Sequence, residues 1–512
     1  MKRLFRGLRR APDPSYDAVV IGAGIGGLIT ANLLARDGLK VLLVEQHYMV
    51  GGYCSTFRRA GYTFDAATHF YPLLGNPETL TGRLLADLGV RTGWVKMDPV
   101  DTFHFPDGTR FAVPADFDSY LAKLKAEFPA EATALDTFFA TVRETYLLGL
   151  LHYFRGRPLS QLDRLVPYLD LTVRDALDHG FRDPKLKLLL TADCAHWGSP
   201  PGRTSFVFDS MLRLSYFLGN YYPQGGSQAF ADDLARCFEE RGGHVLTSTA
   251  ARRILIQGGP EGGTARGVEL EVLRGSSPLR GSVFTVRSET VVSNSDLLLT
   301  LEQLVGPEHV PPAELAALNA LRPTFPCFLI HIGTTGIPGS VLEEAQGYYW
   351  DSWDMDRLGL DALRFKIFSP TIYEPAMAPP GGQVVIVQKV LEMDYAATVD
   401  WPAHKRRIEE FALAHLERLI PGFSERIVVK TSASARTSQH FTLNHQGAML
   451  GWEMSPGQLG EGRPDIQGSI RNLYCVGHWT RPGGGITPVI ASAQQVAAAV
   501  GRASMDLARA AG

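Results

Sequence analysis

The sequence predicts an α/β fold, and three observations carry that reading. Residues 16–45 run strand, glycine turn, helix, strand: YDAVVIG, AGIGG, LITANLLARDG, then KVLLVE. Strand and helix patterns of the same kind return at 225–299 and again at 447–505, separated by stretches of different texture at 106–224 and 300–446. At about 150 residues per domain, 512 residues suggest roughly three domains, and a single core of this size would split. The expectation is a Rossmann-type domain assembled from discontinuous segments 16–105, 225–299 and 447–505. Residues 106–224 and 300–446 would form an inserted α+β domain, behind a basic tail at 1–15.

Each element has its own signal. Val19, Val20 and Ile21 read as a buried parallel strand, and Leu28, Ala31, Leu34 and Ala35 recur at helical spacing up to a C-terminal stop at Gly38. The second strand ends at Glu45. In SQAFADDLARCFEERGG, Phe230, Leu234, Cys237 and Phe238 mark one helical face, with Ser227 as the expected N-cap and Gly242-Gly243 as the stop. Strands are expected over HVLTS, AARRILIQ and ARGVELEV, with a hairpin loop at 258–263 and a further strand at Thr290–Asp296. NLYCVG, a glycine-rich turn and ITPVIASAQQVAAAVGRA close the chain as strand, loop, helix.

Composition removes several classes. Fifty-three acidic and 50 basic side chains leave a net charge of -3, without the basic excess that phosphate neutralisation needs, so no nucleic-acid partner is expected. Five scattered cysteines contain no C-x-x-C pair, which points to a reducing, cytoplasmic setting rather than a disulfide framework. No histidine pair has H-E-x-x-H spacing, and no metal site is expected. The uncharged runs at 18–35 and 482–501 contain glycine clusters typical of tight turns against a ligand, so neither is read as a membrane span.

The motifs specify a dinucleotide. In Gly22-Ala23-Gly24-Ile25-Gly26-Gly27, Gly22 permits the turn, Gly24 lets backbone approach a pyrophosphate, and Gly27 allows close helix packing; the helix N-terminus favours the phosphates. Glu45, with Gln46 beside it, stands eighteen residues past the last glycine, placed for a ribose diol. Gly51 and Gly52 follow within a few residues, where they let the chain run beside a long extended cofactor. With no second G-x-G-x-x-G for a nicotinamide domain, FAD is the expected cofactor. At the other end, Gly477 and His478 close a strand, while Gly484, Gly485 and Ile486 lead into a helix aimed at the flavin.

These residues carry a family resemblance. AVVIGAGIGGLITANLLARDGLKVLLVEQ, GGYCSTFRRAGYTFDAATHF, YYPQGGSQAF and NLYCVGHWTRPGGGITPVIASAQQVA together resemble the FAD-dependent carotenoid desaturase and isomerase superfamily, which lies within the flavin-amine-oxidase-like fold. That superfamily includes phytoene desaturases, carotenoid isomerases and retinol saturases. The likeness runs from about Tyr16 to Gly501. Where many such flavoproteins have an acid after the strand glycine, this chain has His478. The resemblance implies a lipophilic polyene substrate and a place near the flavin for Gly225-Gly226.

Hydride exchange at flavin N5 needs an oriented polyene in an apolar channel more than it needs a strong base. Desaturation or cis-trans isomerisation is the leading reading. Polyene reduction of retinol-saturase type, amine oxidation and a non-catalytic polyene carrier are the alternatives. The aromatic stretch from Tyr146 to Tyr222 could stabilise positive charge or simply fill a core. His69 and His445 are the candidate catalytic side chains, each with a structural role as the alternative. The tail MKRLFRGLRR could form a short interfacial helix or stay a disordered solvated tail, and peripheral membrane association is expected in either case because a polyene must be drawn from a bilayer.

Overall fold

The computed structural model describes residues 11–259, 263–273, 279–357, 364–392, 395 and 400–511. MKRLFRGLRR therefore lies outside the described residues, as does part of the 258–263 loop.

β1 (Ser15–Ile21) and β2 (Val41–Val44) are parallel neighbours joined through the helix Ile25–Arg36. Along β1, Ala18 and Val20 pack on one helical layer while Val19 and Ile21 pack on the opposite core, which is why the run is apolar without alternation. Each buried valine or isoleucine here contributes about 1.5–3 kcal/mol. β9 (His244–Leu246) extends the sheet beyond β2, and β12 (Val283–Ser293) flanks β1 on its other side. The outer edge of β12 is shared: antiparallel β11 (Thr264–Val272) takes 283–287, and parallel β18 (Leu473–Cys475) takes 291–293. β10 (Thr249–Gln257) closes that side against β11. Three separated stretches of chain thus build one seven-stranded sheet.

The second seven-stranded sheet comprises β6 (Asp101–His104), β7 (Arg110–Val113), β13 (Cys327–Thr335), β14 (Gly347–Trp350), β15 (Arg364–Phe368), β16 (Gly382–Val390) and β17 (Ile427–Ala433). They are ordered β17-β13-β16-β15-β14-β6-β7. One face packs on the helices 117–127, 132–149 and 206–217, and the other on the helix Trp401–Leu419. Two hairpin-sized sheets complete the fold: β3 (Thr56–Arg59) with β4 (Tyr62–Asp65), and β5 (Trp94–Lys96) with β8 (Tyr221–Pro223).

Three expectations need correction. The division at 105 cuts the hairpin β6–β7, whose strands both belong to the second sheet. The strand expected at 290–296 begins at Val283 and ends at Ser293, because its first half pairs with β11 and exposes alternate side chains. Ser227 is the first residue of the helix Ser227–Glu240 rather than its cap. Its N–H donates to Asp65 Oδ1 at 2.9 Å and its hydroxyl to the Thr68 carbonyl, so the capping acceptor comes from β4. The helix faces inward through Phe230, Leu234 and Phe238 as its spacing predicts. All five cysteines are unpaired and buried. Among the described residues, no helix is long and apolar enough to cross a membrane, and no cluster of metal-ligating side chains occurs.

Candidate functional site

Gly22 leaves β1 with φ +91°, a conformation that side chains disfavour, and turns the chain into the helix that starts at Ile25. The helix N-cap is Gly24, with no side-chain cap and no acid in the first turn, which leaves its first amides open to an anion. Asn294, just beyond β12, sits against this turn. Its N–H donates to the Ile21 carbonyl at 2.8 Å and its Nδ2 to Gly22 O at 3.4 Å. A Cβ on Gly24 would approach Asn294 Nδ2 to 2.9 Å, one on Gly26 would approach Asn294 Oδ1 to 2.5 Å, and one on Gly477 the same oxygen to 3.1 Å. One amide therefore joins the N-terminal glycine motif to the strand-end Gly477.

Glu45 holds the turn from the end of β2. Its Oε2 accepts the N–H of Ala23 and its Oε1 the N–H of His47, both at 2.8 Å. Burial pushes its carboxyl above the ordinary range, opposed by these hydrogen bonds. The Gly51 N–H donates to Ala23 O at 2.8 Å, and Gly24 and Gly51 form a parallel bridge, so the two N-terminal glycine motifs lie side by side.

A cavity of about 2120 Å³ runs from this cradle into the space beside the second sheet. Gly22, Gly24, Gly26, Glu45, Gln46, Gly51, Gly52, Gly477, His478, Gly484, Gly485, Ile486 and His69 all line it. Three expected residues do not. Ala23 is fully buried, with its N–H and carbonyl taken by Glu45 and Gly51. Gly27 packs onto the turn itself, since a Cβ there would stand 2.0 Å from Gly22 O. His445 lies off the wall, its N–H donated to Asp296 Oδ2 at 2.7 Å and its ring beside Trp452. Its neighbour Asn444 takes the wall position. Asn444 Oδ1 accepts from Trp479 Nε1 at 3.0 Å and lies 3.3 Å from His478 Nε2, while its Nδ2 donates to Tyr53. Burial, with Arg463 nearby, pushes the His478 imidazole down to about 3 and keeps it neutral. The glycine-rich loop at 482–485 is also tight on its protein side: a Cβ on Gly484 would meet Leu450 O at 2.3 Å.

The far half of the cavity is mainly apolar. Tyr146, Leu150 and Phe154 come from the helix 132–149 and the π-turn that continues it. Phe208, Met211, Leu212 and Tyr216 come from the helix 206–217. The aromatic stretch is thus divided, because Trp197 and Phe206 are fully buried core and do not reach the wall. Among the described residues, three buried acceptors on this wall have no protein partner: His69 Nε2, His331 Nδ1 and Gln388 Oε1. Burial lowers His69 to about 3 and His331 to about 4, so both rings are neutral. Asn294, Asn444, His196, His331 and Gln388 escaped the sequence reading. Only Asn294, in the SNSD that follows a strand, had a local signal.

The volume is about twice the upper end of the roughly 300–1,000 Å³ that holds one drug-sized ligand, which leaves room for an extended dinucleotide and a second molecule. The uncapped helix, the paired glycine motifs and the strand-end acid suit FAD, and the fold and cavity together define a flavin-dependent oxidoreductase. The family profile described as flavin containing amine oxidoreductase matches residues 25–501, and the chain belongs to that family. Relatives include "Prolycopene isomerase 1, chloroplastic" of an Oncidium hybrid cultivar, 27% identical over 95% of this chain and 84% of the relative. "Phytoene desaturase (neurosporene-forming)" of Cereibacter sphaeroides is 27% identical over 95% of each chain. "All-trans-retinol 13,14-reductase" of Rattus norvegicus is 26% identical over 91% of this chain and 83% of the relative. Among solved structures, an oxidoreductase from Methanosarcina mazei matches with TM-score 0.66 at 16% identity, covering 94% of this chain and 99% of its own. Putrescine oxidase bound to putrescine matches with TM-score 0.64 at 15% identity, covering 96% and 99%. The protein is an FAD-dependent oxidoreductase, similar along most of its length to carotenoid desaturases, carotenoid isomerases and a retinol reductase.

Proposed function

We propose that the enzyme acts on a carotenoid-like polyene, by desaturation or cis-trans isomerisation. The observation that carries this reading is the single cavity that begins at the glycine cradle and continues between the helices 132–149 and 206–217 as a wall of tyrosine, phenylalanine, leucine and methionine. An elongated apolar ligand fits that continuity, and the desaturase, isomerase and reductase names of the relatives support it. Segments 16–105, 225–299 and 447–505 act as the FAD domain in this reading, with the hairpin β6–β7 assigned to the substrate domain.

Gly22, Gly24 and Gly26 with the first turn of the helix hold the pyrophosphate, Glu45 and Gln46 face the adenosine ribose, and Gly51 and Gly52 lie along the cofactor. Gly477, His478, Gly484, Gly485 and Ile486 face its flavin end. When bound, FAD supplies the two-electron acceptor or donor for a C–H bond of the substrate. The chain's task is to align the polyene, exclude water and keep the neutral rings of His69 and His478 beside it.

Peripheral membrane association belongs to the same proposal. Leu147 is exposed one residue from Tyr146, which lines the cavity, and in this reading the entrance from a bilayer lies at this end of the helix 132–149. The test is incubation of flavin-loaded protein with a hydrocarbon carotene, its poly-cis isomer and a retinoid in liposomes, with the products separated by chromatography. A product with longer conjugation identifies desaturation, and an isomer of equal mass identifies isomerisation. Polyenes recovered unchanged, together with hydrogen peroxide from amines, would overturn the reading.

A further inference from the structure

His196, in the turn Cys194–Trp197, lies on the cavity wall between two tyrosine hydroxyls: Nδ1 is 2.9 Å from Tyr216 Oη and Nε2 is 2.7 Å from Tyr348 Oη. A neutral imidazole has one N–H and one lone pair, so one tyrosine donates to the ring and the other accepts from it. Either arrangement leaves one hydroxyl hydrogen unused. Tyr348 is 1% exposed and off the wall, packed by Phe103 and covered by the Lys366 ammonium. Its hydroxyl has no second partner among the described residues, and an unsatisfied hydrogen there would cost about 1–3 kcal/mol. Tyr216 does line the cavity. The favoured polarity therefore runs from Tyr348 O–H to Nε2 and from Nδ1–H to Tyr216, leaving the Tyr216 O–H as a donor toward the cavity.

His69 supplies the complement. Its ring centroid stands 6.4 Å from that of His196, on the same wall. Its Nδ1 is 3.0 Å from the Ala67 carbonyl, which can only accept, so Nδ1 carries the hydrogen and Nε2 is a bare acceptor. That nitrogen is buried with no protein partner among the described residues, and stacking on Phe368 at 4.7 Å fixes the ring. A donor and an acceptor, both unused by the protein, thus flank His196.

We propose that Tyr216 and His69 form a hydroxyl-binding subsite, so that the preferred ligand is a long apolar chain ending in an alcohol. The inference rests on the polyene reading above and narrows it. An alcohol oxygen accepts from Tyr216 while its hydrogen goes to His69 Nε2. A carboxylate would place an acceptor against Nε2, an ammonium would face the tyrosine hydrogen, and a hydrocarbon would bury both groups unpaired.

The test measures binding of all-trans-retinol, its methyl ether and the corresponding hydrocarbon to the flavin-loaded protein, followed through the visible bands of the bound flavin. The ether can accept but cannot donate. Wild-type protein should bind the alcohol about tenfold more tightly than the ether, and the ether about tenfold more tightly than the hydrocarbon. Tyr216→Phe should erase the difference between ether and hydrocarbon, and His69→Phe the difference between alcohol and ether, each at normal flavin content. The wild-type series needs no variant, so misfolding cannot hide the answer. Equal binding of all three ligands would mean that the two groups hold a resident water only, and would overturn the subsite alone. Failure of all three to bind a protein that retains flavin would overturn the polyene reading and the subsite with it.

Discussion

A Cβ built on Gly27 would stand 2.0 Å from the carbonyl oxygen of Gly22. The first helical turn closes directly on the turn that feeds it, so the cradle is defined by backbone against backbone, and no side chain can yield. Gly27→Ala should displace the helix start and weaken FAD retention about tenfold or more, read as the ratio of flavin to protein absorbance. Gly24→Val, which would press on Asn294, should abolish retention. Normal flavin content in both variants would remove the cofactor from this turn.

Glu45 bonds both ends of the loop it faces, through Ala23 and His47. Glu45→Ala should leave two amides short of an acceptor, lower stability by about 1–3 kcal/mol and weaken FAD binding less than Gly24→Val does. Denaturant midpoints and flavin release rates check the two effects separately.

Arg463 is 1% exposed and donates to the carbonyls of Trp452, Glu453, Gln458, His478 and Thr480, with no carboxylate partner among the described residues. It ties the strand-end segment around His478 to the loop before it. Arg463→Met should cost about 3 kcal/mol or more, because several buried carbonyls lose their donor. Its denaturation curve should shift even with saturating FAD present.

His331 predicts a pH dependence. Burial holds its imidazole at about 4, against about 6.5 in an unfolded chain, so between these values only the unfolded state binds the proton. The stability that the neutral ring contributes is complete above pH 6.5 and is lost as pH falls, at up to about 1.4 kcal/mol per pH unit. The difference in unfolding free energy between wild type and His331→Gln should therefore narrow from pH 7.5 to pH 5. A difference constant across that range would contradict the assignment.

The parts of the fold legible in the sequence are those set by local chemistry. A positive φ needs Gly22, a strand end presents Glu45, and helical spacing aligns Phe230, Leu234 and Phe238. Elements set by distant partners were not legible. The Ser227 helix is capped by Asp65 from β4, and β12 begins early only because β11 pairs with it. The second sheet mixes strands from both insertions, and nothing in Asp101–His104 announces that it pairs with Tyr348 and Tyr349. The same limit applies to the site. Asn444 and His445 are adjacent, and only the fold decides which one meets the cavity.

The central claim is that FAD in the glycine cradle shares one cavity with a polyene. The most direct measurement is the anaerobic visible spectrum of flavin-loaded protein before and after addition of polyenes in liposomes. The account predicts that the flavin bands shift or bleach with polyene and remain unchanged with polyene-free liposomes. A spectrum indifferent to every polyene but bleached by an amine would contradict it.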